Sequence, residues 1–291
     1  MKPATFDYEV ADSVEAALAL LARGGGDAKV IAGGQSLVPM LNFRLLKPAV
    51  LVDINRIPGL DRIQERDDGI HVGALVRHRR LETDAVIARR LPAVAAAMTH
   101  VAHLAIRNRG TIGGSLSHAD PAAELPMMAL LADAVIEIAA PAGARSVAAE
   151  DFFVGTLTTD LGEEELVTGV MFPREAQAAG WGFEEVARRH GDYALAAAAV
   201  TLDIEHGLIV QPRIALMGVG ETPLRARAAE AVLDGQDFSE ALAAEAAEAA
   251  MAATEPNTDL HASADYRRHL AGVLVRRALG AAVRRAAEAR P

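Results

Sequence analysis

The chain contains no cysteine. Disulfides, thiolate nucleophiles and Cys-ligated zinc or iron–sulfur clusters are thereby excluded within it. If this protein handles electrons, it does so with an organic cofactor. Lysine is scarce too, occurring only as Lys2, Lys29 and Lys47, so arginine carries nearly all the positive charge. The net charge is −10, which argues against nucleic acid or an anionic membrane as the principal partner. No apolar run reaches the roughly 18–20 residues that a membrane-spanning helix needs. The opening segment MKPATFDYEVADS lacks the apolar centre of a signal peptide. A cytoplasmic location with no membrane span is therefore expected.

What remains is a globular composition. Of 291 residues, 51% are apolar and 23% charged, enough to build a sizeable core. Asp12-Ser13-Val14-Glu15 reads as a capping box opening a helix that the glycines Gly24, Gly25 and Gly26 end. Strands are expected at KVIAGG, AVLVDI (49–54) and GIHVGALV (69–76), so the first part reads as a small βαβ-like unit. LETDAVIARRLPAVAAAMTHVAHLAI is expected to be mostly helical and broken at Pro92. A helix from Pro121 and strands at AVIEIAA and EELVTGVMF (164–172) follow. The last third reads as WGFEEVARR, ALAAAAVTLDIE and LIVQPRIALMGVG in one antiparallel sheet, turning at Gly207, with two Ala-rich helices closing the chain. The expected fold class is α+β. The expected division is a domain over 1–175, with parts of about 1–55 and 56–175, and a second over 178–291.

Two glycine stretches stand out: KVIAGGQSLVPM, which runs from Lys29 to Met40, and GTIGGSLSHADP, from Gly110 to Pro121. Glycine permits positive φ and removes the Cβ that would keep a ligand away from the backbone. Consecutive N–H groups in such turns form an anion nest. Two facing nests could hold a diphosphate without a cluster of basic side chains, which suits a chain with so little lysine. Neither stretch is a P-loop or a G-x-G-x-x-G fingerprint. Each could also be a plain turn, and GVGETP (218–223) reads as one.

Asp120 and Glu124 have two readings. As structure, Asp120 caps a helix that starts at Pro121, with Glu124 in its first turn. As a site, two carboxylates four residues apart share a helix face and could accept from ribose hydroxyls. His100 and His103 have ligand spacing but no third partner, and read as part of a packed helix. Ser36, Ser115 and Ser117 lie near no triad.

Taken together, AGGQSLVPMLNFRL, IRNRGTIGGSLSHADPAAELP, RRHGDYALAAAAV and HASADYRRHLAGVLVRRAL resemble the FAD-binding medium subunit of the molybdenum hydroxylases. That family includes carbon monoxide dehydrogenases, N-heterocycle dehydrogenases and the flavin domain of xanthine dehydrogenase. The resemblance spans nearly the whole chain. It implies a two-subdomain FAD-binding domain of the vanillyl-alcohol-oxidase (PCMH) type, then a three-stranded antiparallel sheet with helices. It also implies an electron-transfer role. Electrons would come from iron–sulfur clusters of a small [2Fe-2S] subunit, fed by a large molybdenum-cofactor subunit, and leave FAD for an external acceptor. The assembly would be a heterotrimer or its dimer. A non-catalytic assembly module and a stand-alone flavin oxidoreductase are the alternatives.

The resemblance assigns residues as well. Lys29, Val30, Ile31, Ala32, Gly33, Gly34, Gln35, Ser36 and Leu37 would wrap the diphosphate and flank the flavin. Gly110, Thr111, Gly113, Gly114 and Ser115, with Ser117 beyond, would form the second nest, the Thr111 hydroxyl donating to a phosphate. Val101 and Ala102 would line the cleft, Asp120 and Glu124 would lie toward ribose, and Leu166 and Val167 toward adenine. Tyr193 would lie on the isoalloxazine face; no residue is assigned as acid or base. The chain departs from the family in Gln35 for the His of many carbon monoxide dehydrogenases, Ser115 for Asn and Glu124 for Asp. Glu184 stands where xanthine dehydrogenases carry a Lys near the flavin, which argues against NAD⁺ as the acceptor.

Overall fold

A computed structural model describes residues 2–289. Met1, Arg290 and Pro291, at the outer ends of the two expected domains, lie outside the described residues. Strand β1 (Asp7–Val10), helix α1 (Val14–Gly24), β2 (Ala28–Ile31), helix α2 (Leu37–Asn42) and β3 (Val50–Asp53) form the first unit. Its sheet is parallel, in the order β1-β3-β2. α1 begins one residue later than the capping-box reading has it. Ser13, not Asp12, is the cap, its hydroxyl oxygen accepting from Ala16 N–H at 3.1 Å. Gly25 ends the helix in the left-handed region at φ 55°.

The second unit opens with β4 (Ile63–Glu65) and β5 (Gly69–Gly73). Six helices follow: α3 (His78–Thr83), α4 (Ala85–Arg90), α5 (Pro92–Met98), α6 (Leu104–Arg107), α7 (Ile112–His118) and α8 (Glu124–Leu131). Then come β6 (Val135–Ala140), β7 (Gly143–Ala148), α9 (Ala149–Phe152), β8 (Phe153–Gly155), β9 (Thr158–Thr159) and β10 (Leu166–Pro173). The antiparallel sheet runs β4-β5-β10-β6-β7, and α8, buried along its whole length, fills the space between it and the last third of the chain.

Three expectations need correcting here. The helical stretch around Pro92 is broken at Asp84 as well, because Asp84 turns extended (ψ 131°) and caps α4 by accepting from Val86 N–H at 2.9 Å. Pro92 starts a helix rather than merely interrupting one. The segment with His100 and His103 is a turn, not a packed helix. The helix expected from Pro121 starts at Glu124 instead. Asp120 folds its carboxylate onto Ala122 N–H (2.9 Å) and the Pro121 carbonyl accepts from Gly218 N–H (2.9 Å), which pins a turn there.

The third unit is an antiparallel sheet of β11 (Gly180–Ala187), β12 (Ala194–Glu205), β13 (Leu208–Met217) and β14 (Leu224–Arg225), in that order. It has four strands rather than the expected three. The extra edge strand, two residues long, pairs with Ala215 and Leu216. His206 (φ 51°) and Gly207 (φ 90°) make the hairpin turn. Helices α10 (Arg227–Leu233), α11 (Glu240–Ala252) and α12 (Ala264–Glu288) cover one face. Ala-rich β12 is a strand because both its faces are covered. Ala197 and Ala199 belong to the core of the second unit, whereas Ala196, Ala198 and Val200 face α12. Small side chains let backbones close in, and a Cβ on Gly182 would sit 2.0 Å from the Ala278 carbonyl oxygen of α12.

Candidate cofactor cleft

A cleft of about 750 Å³ runs between the first two units and is closed at one end by the β11–β12 loop of the third. Its size is in the range of cofactor pockets. Of the residues expected to touch the cofactor, from Lys29 to Tyr193, all line it except Ile31, whose side chain lies behind Gly34; His100 and Glu184, also singled out from the sequence, do not line it.

The two glycine stretches meet, but they do different work. A Cβ on Gly33 would lie 2.3 Å from the Arg109 carbonyl oxygen and 2.9 Å from Gly110 Cα. That glycine lets the two backbones touch. Asn55 and Arg77 bind the stretches together. Asn55 Nδ2 donates to the Ala32 carbonyl (2.8 Å), Arg77 donates to the Asn55 side-chain oxygen (2.6 Å), and Arg77 also donates to the Arg109 carbonyl. Beyond this clamp, at Gly34, φ is +71° and the chain turns into α2. Among the described residues, no acceptor faces the backbone N–H groups of Gly33, Gly34, Gln35 and Ser36. Four successive open amides are a nest for an anion.

The second stretch is not such a nest. Gly113 and Gly114 lie in the first turn of α7, where Thr111 is the cap. Gly113 N–H donates to the Ala74 carbonyl (2.9 Å) and Gly114 N–H to the Thr111 hydroxyl oxygen (3.1 Å). A Cβ on Gly113 would meet Ala74 at 2.5 Å, so that glycine serves packing. What α7 offers the cleft is hydroxyl groups: the Thr111 O–H, whose proton is still free to donate, and those of Ser115 and Ser117.

His78, absent from the sequence reading, holds this stretch from beneath. It is 7% exposed, and its Nε2–H donates to the Thr111 carbonyl at 3.0 Å. Nδ1 is therefore unprotonated, buried, and without a partner among the described residues. Burial lowers its pKa to about 4, so the ring stays neutral. A depressed histidine pKa contributes stability above its unfolded value that is lost as pH falls from about 6.5 to about 4. The stability advantage of the wild type over His78→Gln should shrink by about 3 kcal/mol across that window, read from denaturant midpoints. A constant difference would contradict a neutral His78.

At the far end, Leu157, Thr159, Leu161, Gly162, Glu163 and Glu165 line the cleft together with Leu166 and Val167. Arg145 holds this loop, donating from Nε and Nη2 to Glu165 (2.8 and 2.6 Å) and from Nη1 to Asp160 (2.6 Å). At the near end, Arg107 donates to the Val101 and Ala102 carbonyls (2.8 and 3.0 Å), fixing Ala102 at φ 41°. Gly191 packs onto this turn; a Cβ there would lie 2.8 Å from the His103 ring and 3.0 Å from the Ala102 oxygen. Tyr193, 67% exposed, stands at the cleft mouth beside it.

Glu124 is 9% exposed and its pKa is pushed up to about 8, by burial first and by the charge of Glu185 second. Glu185 is raised to about 7 by burial. It is the neighbour of Glu184, the expected flavin-side carboxylate. Strand alternation puts Glu184 with Gly182 on the α12 side, and Glu185 with Phe183 on the side of the second unit, so the carboxylate turned toward the second unit is Glu185. Among the described residues there is no cluster of three or more His, Cys, Asp or Glu able to hold a metal. No helix among them is long and apolar enough to cross a membrane.

Open amides, free hydroxyls, a buried unpaired acceptor and one lysine beside the first nest fit a phosphate-bearing dinucleotide with an aromatic head group. Comparison with known proteins agrees. Residues 4–175 match the family described as FAD binding domain in molybdopterin dehydrogenase, and residues 181–282 the CO dehydrogenase flavoprotein C-terminal domain. The chain is 47% identical to the 6-hydroxypseudooxynicotine dehydrogenase complex subunit alpha of Paenarthrobacter nicotinovorans, over 98% of this chain and 97% of that one. Among solved structures, it superimposes on carbon monoxide dehydrogenase from Hydrogenophaga pseudoflava with a TM-score of 0.95 and 42% identity, covering 98% of this chain and 99% of that one. Quinoline 2-oxidoreductase from Pseudomonas putida 86 gives 0.94 and 42%, covering 98% and 100%. Packed glycine turns, a cleft of cofactor size and full-length likeness converge: the chain belongs to the FAD-binding medium-subunit family of the molybdopterin dehydrogenases, oxidoreductase subunits that pass electrons through FAD.

Proposed function

We propose that this cleft holds FAD with its diphosphate on the Gly33–Ser36 amides, its adenine toward Leu166 and Val167, and its isoalloxazine against Tyr193. The four open amides carry this reading. The flavin, when bound, supplies the capacity to accept and release electrons. The chain supplies the rest. Lys29 balances phosphate charge, Thr111, Ser115 and Ser117 donate from hydroxyls, and Glu124 and Asp120 stand toward ribose. The Arg145 clamp sets the loop at the adenine end, and the α5–α6 turn with Val101, Ala102 and Gly191 closes the other. The division near residues 175–178 belongs to this proposal, the second domain serving to bring Tyr193 to the cleft.

We further propose that the chain works in the cytoplasm beside a large molybdenum-cofactor subunit and a small [2Fe-2S] subunit, in a heterotrimer or its dimer, and delivers electrons to an external acceptor. Relatives named for 6-hydroxypseudooxynicotine, carbon monoxide and quinoline share this subunit at 42–47% identity. That such different molecules are named for one flavin subunit supports the reading that substrate choice lies in another chain. The purified protein should carry FAD at a stoichiometry near one, seen as flavin absorbance and released by acid. A protein that stays colourless after incubation with FAD would overturn the reading.

A further inference from the structure

Helix α3 holds the cleft wall at two points. His78, its first residue, reaches Thr111 at the glycine end; Glu82, one turn on and on the same face, reaches Arg107. Glu82 uses both oxygens: Oε2 accepts from Arg107 Nε at 3.0 Å and Oε1 from Arg79 Nη1 at 2.6 Å. Arg107, at the end of α6, donates from Nη1 to the Val101 and Ala102 carbonyls at 2.8 and 3.0 Å. Its side chain is 11% exposed and that of Glu82 13%, so this is a largely buried, charge-assisted fork and not a surface ion pair. The two carbonyls that Arg107 holds also direct two donors. In a trans peptide the C=O and N–H point opposite ways, and no peptide among the described residues is cis. The Val101 carbonyl shares its peptide with Ala102 N–H, and the Ala102 carbonyl shares its own with His103 N–H. With both carbonyls drawn to Arg107, both N–H groups point away from it. Neither has an acceptor among the described residues, and Val101, Ala102 and His103 all line the cleft. Ala102 sits at φ 41°, a conformation that L residues rarely adopt, so the turn depends on these outside holds. Arg107 also brings a positive charge one peptide behind the wall. Its field reaches Glu124 and His78 there, although burial dominates at both.

We propose that Arg107, held by Glu82, is a positioning residue for the flavin head: it turns the Ala102 and His103 N–H groups onto an acceptor edge of the isoalloxazine and sets behind them a positive charge that favours the reduced cofactor. This rests on the reading that the isoalloxazine lies at the Tyr193 end of the cleft. Reduction by two electrons from the iron–sulfur partner and one proton from water adds one negative charge to a flavin. Fixed N–H dipoles and a cation beside that charge hold the reduced form more tightly than the oxidised one. Glu82 sets the balance, because its own charge offsets part of the arginine's while its oxygen keeps the guanidinium in place.

The test uses the flavin-loaded chain at neutral pH, its midpoint potential read against reference dyes and its affinity for oxidised FAD from fluorescence quenching. Arg107→Gln should lower the preference for reduced over oxidised FAD at least about tenfold, a downward shift of about 30 mV for the two-electron couple. Arg107→Lys keeps the charge but cannot span Glu82 and both carbonyls, and should recover only part of that loss. Glu82→Gln leaves an oxygen for Arg107 Nε and removes the opposing charge, so it should raise the preference by about threefold. Loss of packing alone would weaken both redox forms alike and leave the potential where it was. A preference in Arg107→Gln within about twofold of the wild type, or a fall in Glu82→Gln, overturns the proposal. Full wild-type potential in Arg107→Lys overturns the positioning role and leaves only the charge. If Arg107→Gln holds no flavin, the sign of the shift in Glu82→Gln decides alone. A wild type that never retains FAD instead fails the functional reading, and does so before any reduction.

Discussion

Gly33→Ala should leave a protein that loses FAD. The reason is not backbone conformation, since no positive φ marks Gly33 as it does Gly34. A methyl group there would stand 2.3 Å from the Arg109 carbonyl oxygen and 2.9 Å from Gly110 Cα, both backbone atoms that cannot rotate away. The two stretches must separate by about an ångström, which breaks the Asn55 and Arg77 clamp and displaces the Gly33–Ser36 amides. Overpacking of this kind costs about 1–3 kcal/mol of stability. The loss in affinity should be larger, at least about 100-fold or about 2.8 kcal/mol, because misdirected amides no longer converge on one anion. Gly114→Ala is the contrast. Its Cβ would meet only the Thr111 hydroxyl oxygen at 2.8 Å, inside one turn, so FAD binding should fall less. Flavin content and affinity measured by fluorescence quenching decide it; equal retention by Gly33→Ala and the wild type would contradict the account.

The second large effect concerns pH and the protein without cofactor. Glu124 has a folded pKa of about 8, above the unfolded carboxylate value. Between about pH 4.5 and 8 the folded state keeps a proton that the unfolded state has released, so stability declines as pH rises through that window. Glu124→Gln removes the decline. Relative to wild type, the variant should gain on the order of 3–5 kcal/mol between pH 4.5 and pH 8. His78 tilts the wild type the other way below about pH 6.5, so the fall should be most visible above it. Denaturant midpoints of both proteins from pH 5 to 8 check this; parallel curves would show that Glu124 is not buried in its neutral form.

Much of this was legible in the sequence because it depends on local pattern. Short apolar runs, some of them alternating, gave the strands β2, β3, β5, β6 and β10–β13, and Gly207 gave a hairpin. The two glycine stretches pointed to the cleft. What was illegible depends on contacts distant in sequence. Asp120 looks like a helix cap, yet Gly218, almost a hundred residues on, holds Pro121 in a turn. Gly113 and Gly33 look alike as glycines beside a nest, but Gly113 makes room for Ala74 and Gly33 for Arg109. His78, Asn55 and Arg77 carry no motif; their importance lies in the carbonyls they reach across the fold. β14 is too short for any periodicity to reveal. Glu184 and Glu185 are adjacent, and only strand register decides which faces inward.

The loop between β11 and β12 belongs to the C-terminal unit, yet it lays Gly191 against Ala102 and His103 and puts Tyr193 at the cleft mouth. Asp133, at the end of α8, holds Arg213 and Arg225 of the C-terminal sheet at 3.0 and 2.6 Å. Association of the two halves and occupancy of the cleft are therefore reciprocal. A ligand that needs both walls favours the closed chain, and whatever loosens the halves weakens the ligand by the same free energy. Nucleotide bound in this cleft would act as a staple between domains, and protease resistance of the linker near residue 178 would report on its presence.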